Sequence, residues 1–189
     1  MKKIKISVIF LLMLVFGTSA FSQSRKNQWE IFFGAAIPTA PDYIKDEFKT
    51  GFSLHGQYVM FVSPQLGISL GLAGEGFTVS DELKDAGIDG QLTVGEVSIG
   101  LRPYLTSLEA STQIFLFGMA TYNSVKVKFE DDFGNEDEGK EEKGGIAFGG
   151  GLEIPAGERF NLIFQGLGRV IFTEGDKFSF VTITAGFAF

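Results

Sequence analysis

The chain has 189 residues, room for one domain of ordinary size and not for two. With 44% apolar and 21% charged residues it has the composition of a chain that folds, which excludes disorder. A formal net charge of -7 argues against nucleic acid as a partner, the lack of cysteine removes disulfides and thiolate metal sites, and one histidine leaves little for His-based metal or catalytic centres.

The first segment is an address. Lys2, Lys3 and Lys5 precede an apolar stretch over residues 6–16, followed by Gly17, Thr18, Ser19 and Ala20. This is the order of charged, apolar and small residues in a secretory signal peptide, and the apolar part is too short for the roughly 20 residues that a spanning helix needs. Residues 1–22 are therefore expected to be a signal peptide cut after Ser22, with a cut after Ala20 as the alternative, leaving 23–189 as one domain. Removal takes away three lysines and no acid, so the formal charge moves from -7 to -10. No cysteine follows to carry a lipid anchor.

Beyond residue 22 the recurring pattern is alternation with period two, which predicts strands. Trp29, Ile31, Phe33, Ala35 and Ile37 alternate with Glu30, Phe32, Gly34 and Ala36; Phe52, Leu54, Gly56, Tyr58 and Met60 alternate with Ser53, His55 and Gln57. A third run sets Leu66, Ile68, Leu70 and Leu72 against Gly67, Gly71, Ala73 and Glu75, and a fourth sets Val97, Ile99 and Leu101 against Glu96, Ser98, Gly100 and Arg102. The fifth, about 113–129, is apolar on both faces in its middle. Its far end, where Val125 and Val127 alternate with Lys126 and Lys128, assigns Phe115, Phe117 and Met119 to the same apolar face. The sixth sets Ile146, Phe148, Leu152 and Ile154 against Ala147, Gly149, Gly151 and Glu153; the seventh sets Leu162, Phe164, Val170 and Phe172 against Asn161, Gln165 and Arg169. In the last, Val181, Ile183, Ala185, Phe187 and Phe189 alternate with Thr182, Thr184, Gly186 and Ala188.

Eight strands result, joined alternately by short turns near 63–65, 106–109 and 156–159 and by longer loops near 39–50, 78–90 and 130–144, with a brief fourth at 173–177. That is the connectivity of an up-and-down transmembrane β-barrel with short periplasmic turns and longer extracellular loops. A soluble barrel has apolar side chains inside and polar ones outside, and a membrane barrel inverts this. Size decides here: the polar face carries the glycines and alanines that suit a crowded eight-stranded lumen, and the opposite face carries Phe, Leu, Ile and Val, which lipid rewards. The fold class is all-β, an eight-stranded antiparallel barrel in the outer membrane.

The stretch GFSLHGQYVMFVSPQLGISLGLAGEGF over residues 51–77 and the ending FSFVTITAGFAF resemble the small eight-stranded outer-membrane barrels of the OmpA and OmpX type. The resemblance covers the mature chain and implies fold far more than activity. It implies that the terminal aromatic Phe189, with Val181, Ile183, Ala185 and Phe187 before it, is read by the outer-membrane assembly machinery, and that the surrounding partners are outer-membrane lipid and lipopolysaccharide. The peptidoglycan-binding domain of full OmpA proteins is expected to be absent.

Family members include lipid A-modifying enzymes with a His and a Ser on the barrel wall. Here His55 has no Ser or Thr two positions on, and its face points to the lumen, so it reads as a hydrogen-bonded lumenal residue. Glu30, Arg102 and Glu153 are expected near the periplasmic end of the lumen, His55, Gln57 and Glu96 near the middle, and Glu75 and Arg169 near the extracellular end. Buried charge demands partners, which predicts Arg102 with Glu30 or Glu153 and Arg169 with Glu75. Residues 130–143 hold eight carboxylates and two lysines without calcium-loop spacing. They read as a solvated extracellular loop, with loose divalent-cation binding against lipopolysaccharide phosphates as the alternative. Gly149, Gly150 and Gly151 lack the lysine and helix of a phosphate loop and suit a bending strand. No catalytic residue, metal or cofactor is expected. The expected role is structural or surface interaction through the extracellular loops; a small passive pore is the alternative, and a lipid-modifying enzyme follows it.

Overall fold

A computed structural model describes residues 25–131, 136–157, 160–173 and 177–189. The expected signal peptide lies outside them, as do 132–135, 158–159 and 174–176 within the expected loops and turns. Eight strands, β1 (Gln28–Ala40), β2 (Gly51–Ser63), β3 (Leu66–Thr78), β4 (Ile88–Pro103), β5 (Gln113–Asp131), β6 (Glu136–Pro155), β7 (Asn161–Phe172) and β8 (Lys177–Ala188), form a closed barrel in chain order. Each pairs antiparallel with the next, and β8 returns to β1 from Glu30 opposite Ala188 to Ala40 opposite Ser179. The seam is tight: a Cβ on Gly34 would sit 2.0 Å from the Ile183 carbonyl oxygen, and one on Gly186 2.2 Å from that of Ile31. Only glycine permits this approach.

The two faces obey the alternation. Trp29, Ile31, Phe33, Leu54, Leu72, Val97, Ile99, Phe148, Phe164 and Ile183 project outward, exposed, from the wall. Such a continuous apolar surface is stable in hydrocarbon and not in water. It is edged below by Trp29, whose ring lies 4.8 Å from that of Tyr58, and by Phe160, Phe187 and Phe189, and above by Phe52, Tyr122 and Phe172. From Trp29 to Ile37 the strand climbs about 20 Å at the usual tilt, close to the height of a bilayer-facing band.

Strand β5 corrects the sequence reading. Phe115, Phe117 and Met119 are buried in the lumen, and Ile114, Leu116 and Tyr122 face outward. Val125 and Val127 do share their face, as the alternation requires, but that face is inward, because both valines pack against a buried cluster at the top of the lumen. Above the membrane the outside of a strand is wet and its inside is dry, so Lys126 and Lys128 mark the outer face there. Within hydrocarbon the polarity is reversed, and parity carried from one zone to the other changes sign.

The acidic stretch also differs from the expected loop. Strands β5 and β6 continue through it in register from Gln113 opposite Glu153 to Glu130 opposite Glu136. Two other extracellular connections hold single helical turns, α1 (Asp42–Glu47) and α2 (Asp81–Asp85), with Asp42 in the first turn of one, Asp81 and Glu82 in that of the other, and a lysine in the last turn of each, the polarity favoured by the helix dipole. Lys49 is ion-paired with Asp81 and holds that carboxyl below the ordinary aspartate range, tying the two connections together.

If Leu116 faces lipid, Leu116→Arg will destabilise the barrel by about 2–4 kcal/mol in reversible urea unfolding from phospholipid vesicles. The neutral swap Leu116→Phe will leave the transition in place.

Candidate functional site

The lumen is layered, and each layer follows from alternate residues climbing the strands. At the periplasmic end Arg102, 1% exposed, donates from Nη1 and Nη2 to the two oxygens of Glu30 at 2.6 and 2.9 Å. Gln28 and Gln57 donate to the same carboxylate at 2.6 and 2.5 Å. Glu153, the alternative partner expected for Arg102, is instead bound by Arg25 at 2.5 Å, by the Tyr104 hydroxyl at 2.9 Å and by Asn161 at 2.6 Å. The Arg25 guanidinium lies 3.8 Å from the ring centre of Tyr104 and 4.5 Å from that of Phe61, and that of Arg102 lies 4.3 Å from Phe115. Two guanidinium groups thus meet two carboxylates over aromatic faces, where desolvated cation and π contacts are strongest.

Above them Phe32, Phe115, Phe117, Met119, Ile163 and Leu167 fill the barrel. The next layer is polar again. Arg169 is ion-paired with Glu75, and its Nε lies 3.2 Å from Glu96. His55 Nε2 lies 3.1 Å from Glu75 and 2.6 Å from the Ser53 hydroxyl. The residues expected at mid-height therefore divide: Gln57 belongs to the lower cluster, and His55 and Glu96 to the upper one. Closing the extracellular end, Phe77, Phe178 and Phe180 pack with centroids 5.2 to 6.3 Å apart, beside Leu92, Val94 and Ile171. Phe48 stacks near Phe129 on top, and Ile44 of α1 and Leu83 of α2 close over them.

Ser53, His55 and Glu75 are the nearest approach to a nucleophile, base and carboxylate. Both Ser53 and Glu75 meet the same ring nitrogen, Nε2, whereas base catalysis needs the orienting carboxylate on the other one. Ser53 stands two positions before His55 on one face of β2, which the period-two pattern could have paired with it. Gln28 before Glu30 and Tyr104 after Arg102 carry the same signal. Arg25 precedes the first strand, and no periodicity points to it.

Outside the lumen, β4, β5 and β6 rise above the band as a three-stranded sheet. Beyond Tyr122 the outward residues of β5 are Ser124, Lys126, Lys128 and Glu130, with no apolar group among them. The ladder between β6 and β7 ends at Gly145 opposite Ile171, and β7 itself ends at Phe172. Residues 136–144 of β6 are paired with β5. A groove of about 390 Å³ at the foot of α2 is lined by Lys84, Asp89, Lys128, Phe129, Glu130 and Glu138, where Lys84 pairs with Asp89 at 3.9 Å and Lys128 with Glu138 at 3.4 Å. Of the five carboxy-terminal residues singled out, Ile183, Phe187 and Phe189 are exposed on the outer wall, Val181 and Ala185 are half-buried there, and Phe189 exchanges two backbone hydrogen bonds with Trp29 at 2.9 Å.

No protein-family model matches the sequence. No curated protein matches it. Solved structures do. A major outer membrane protein from Thermus thermophilus superposes with a TM-score of 0.60 at 12% identity, covering 87% of this chain and 99% of that one. Neisserial surface protein A gives 0.59 at 10% identity, covering 88% and 98%. The attachment invasion locus protein of Yersinia pestis gives 0.55 at 16% identity, covering 86% and 97%. The chain has the fold of the small eight-stranded outer-membrane barrels.

Removing one partner of a buried ion pair leaves the other charge stranded. Arg102→Met alone should therefore cost about 3–5 kcal/mol in the same unfolding assay, and the double variant Arg102→Met with Glu30→Gln appreciably less than the single one. Equal losses in the single and double variants would mean that Glu30 does not depend on Arg102.

Proposed function

We propose that this is an integral outer-membrane protein without catalytic or conducting activity, which acts through its extracellular surface and uses the barrel as anchor and stand. The observation that carries this reading is the filled lumen: a neutralised charge cluster at the periplasmic end, an aromatic layer, a second charge cluster and a phenylalanine cap at the extracellular end. An eight-stranded interior is just wide enough for its own side chains, and here they are large. A buried, doubly paired His55 beneath that cap has no route for a lipid substrate, which supports the non-catalytic reading over a lipid-modifying one. The sheet that rises beyond the lipid band is the part presented to partners. Outer-membrane lipid and lipopolysaccharide surround the wall in this reading, and the assembly machinery receives Phe189 and the apolar positions before it.

Purified protein in planar bilayers should give no stable unit conductance, and its expression should leave the mass of lipid A unchanged. Persistent single-channel steps would favour the passive pore, and a new lipid A species the enzyme. For assembly, Phe187→Ser with Phe189→Ser should lower the amount of heat-modifiable protein recovered in outer membranes. Wild-type recovery would remove the assembly role of this end.

A further inference from the structure

We infer that the periplasmic mouth of the barrel is a guanidinium-binding site which Arg25 fills from within the chain, and that this contact latches the closed barrel against unfolding. Separate elements build the site. Glu153 on β6 accepts from the Arg25 guanidinium at 2.5 Å and is held by Asn161 of β7 and by the hydroxyl of Tyr104, which follows β4. The rings of Tyr104 and of Phe61 on β2 lie with centroids 5.7 Å apart, and the guanidinium sits over them at 3.8 and 4.5 Å. The Arg25 side chain is only 9% exposed, although the segment that carries it precedes the first strand. A carboxylate accepting from a planar cation, with aromatic rings against its face, is a setting that arginine satisfies and lysine does not. Asn27 ties the same segment to β2 by accepting from the Phe61 backbone N–H at 3.0 Å.

Two features give this contact the character of a latch. The first is the charge it balances. Glu153 is 1% exposed, and the other guanidinium of this layer, that of Arg102, is already engaged with both oxygens of Glu30. Withdrawal of Arg25 therefore strands a buried carboxylate. The second is its place in the topology. Strand β1 pairs with β2 and β8, and β6 pairs with β5 and β7. Arg25 and Glu153 are separated by 128 positions in the chain and meet across the mouth, so their contact forms only when β2, β4, β6 and β7 already stand around it. An interaction made after the folding transition state slows unfolding and leaves the folding rate nearly unchanged. The latch is independent of the extracellular surface, which lies at the other end of the barrel.

The test uses protein isolated from outer membranes and reconstituted in phosphatidylcholine vesicles, with folding and unfolding rates read from the fluorescence of the single tryptophan after urea jumps. Each variant is checked for folding by heat modifiability. Arg25→Ala should unfold about tenfold faster, with a folding rate within about twofold of the wild type. Arg25→Lys should unfold nearly as fast as Arg25→Ala, because an ammonium offers the two rings no flat face. Glu153→Gln should also unfold faster, and adding Arg25→Ala to it should change the rate by less than about twofold. Ethylguanidinium at about 20 mM should slow the unfolding of Arg25→Ala by about threefold or more, and ethylammonium at the same concentration should not. Wild-type unfolding by Arg25→Ala, or additive effects of the two substitutions, would overturn the latch. Full retention of the wild-type rate by Arg25→Lys, or equal effects of the two cations, would overturn the guanidinium site.

Discussion

Closure of the sheet is the constraint on which the rest of this structure depends. In hydrocarbon a backbone N–H or C=O without a partner costs several kcal/mol, so a sheet can cross the membrane only if its last strand pairs with its first. The seam between β1 and β8 meets that demand to the end of the chain, where Phe189 and Trp29 exchange backbone bonds. It also explains where glycine is spent. Gly34 and Gly186 stand at positions where any side chain would collide with the neighbouring backbone.

Closure at eight strands fixes the interior volume, and the interior volume fixes the chemistry of the lumen. A space that holds little besides side chains has a low effective dielectric, so each charge placed there must be matched nearby. Arg102 with Glu30 and Arg25 with Glu153 do so in the lower layer; Arg169 lies between Glu75 and Glu96 in the upper one. A buried ion pair contributes little net stability against an apolar replacement. It does penalise misregistered pairing, because sliding one strand by one residue would turn its charge outward into lipid. Arginines on β4 and β7 that reach carboxylates on β1, β3 and β4 thus favour one register of the closed sheet over its neighbours.

The outward faces of seven strands were legible because lipid imposes a simple rule on residues such as Leu54, Leu72, Val97 and Ile183. Strand β5 was not, because its middle is apolar on both sides and its parity was taken from Val125 and Val127, beyond the membrane surface where the rule reverses. The phenylalanines of the lumen were hidden too: Phe32 and Phe77 stand on the small and polar face, and alternation by itself does not say that one ring is set between two layers of charge and the other caps the upper layer. The pairing of Arg169 with Glu75 could be anticipated from height and sign. The place of Arg25 could not, since it lies before β1, outside the alternation, and its side chain reaches Glu153 across the barrel mouth.

Strand length then separates the two halves of the molecule. Within the band every strand has two neighbours, and the barrel has no edge. Above it the strands end at different heights: β5 and β6 continue for about 20 Å beyond Tyr122, whereas β7 and β8 turn back near Phe172. An edge forbidden in hydrocarbon is tolerated in water, where the free backbone groups are hydrated and charged side chains beside them discourage self-association. The inequality of β6 and β7 therefore falls on the side of the membrane where water can hydrate backbone groups beyond the end of a ladder.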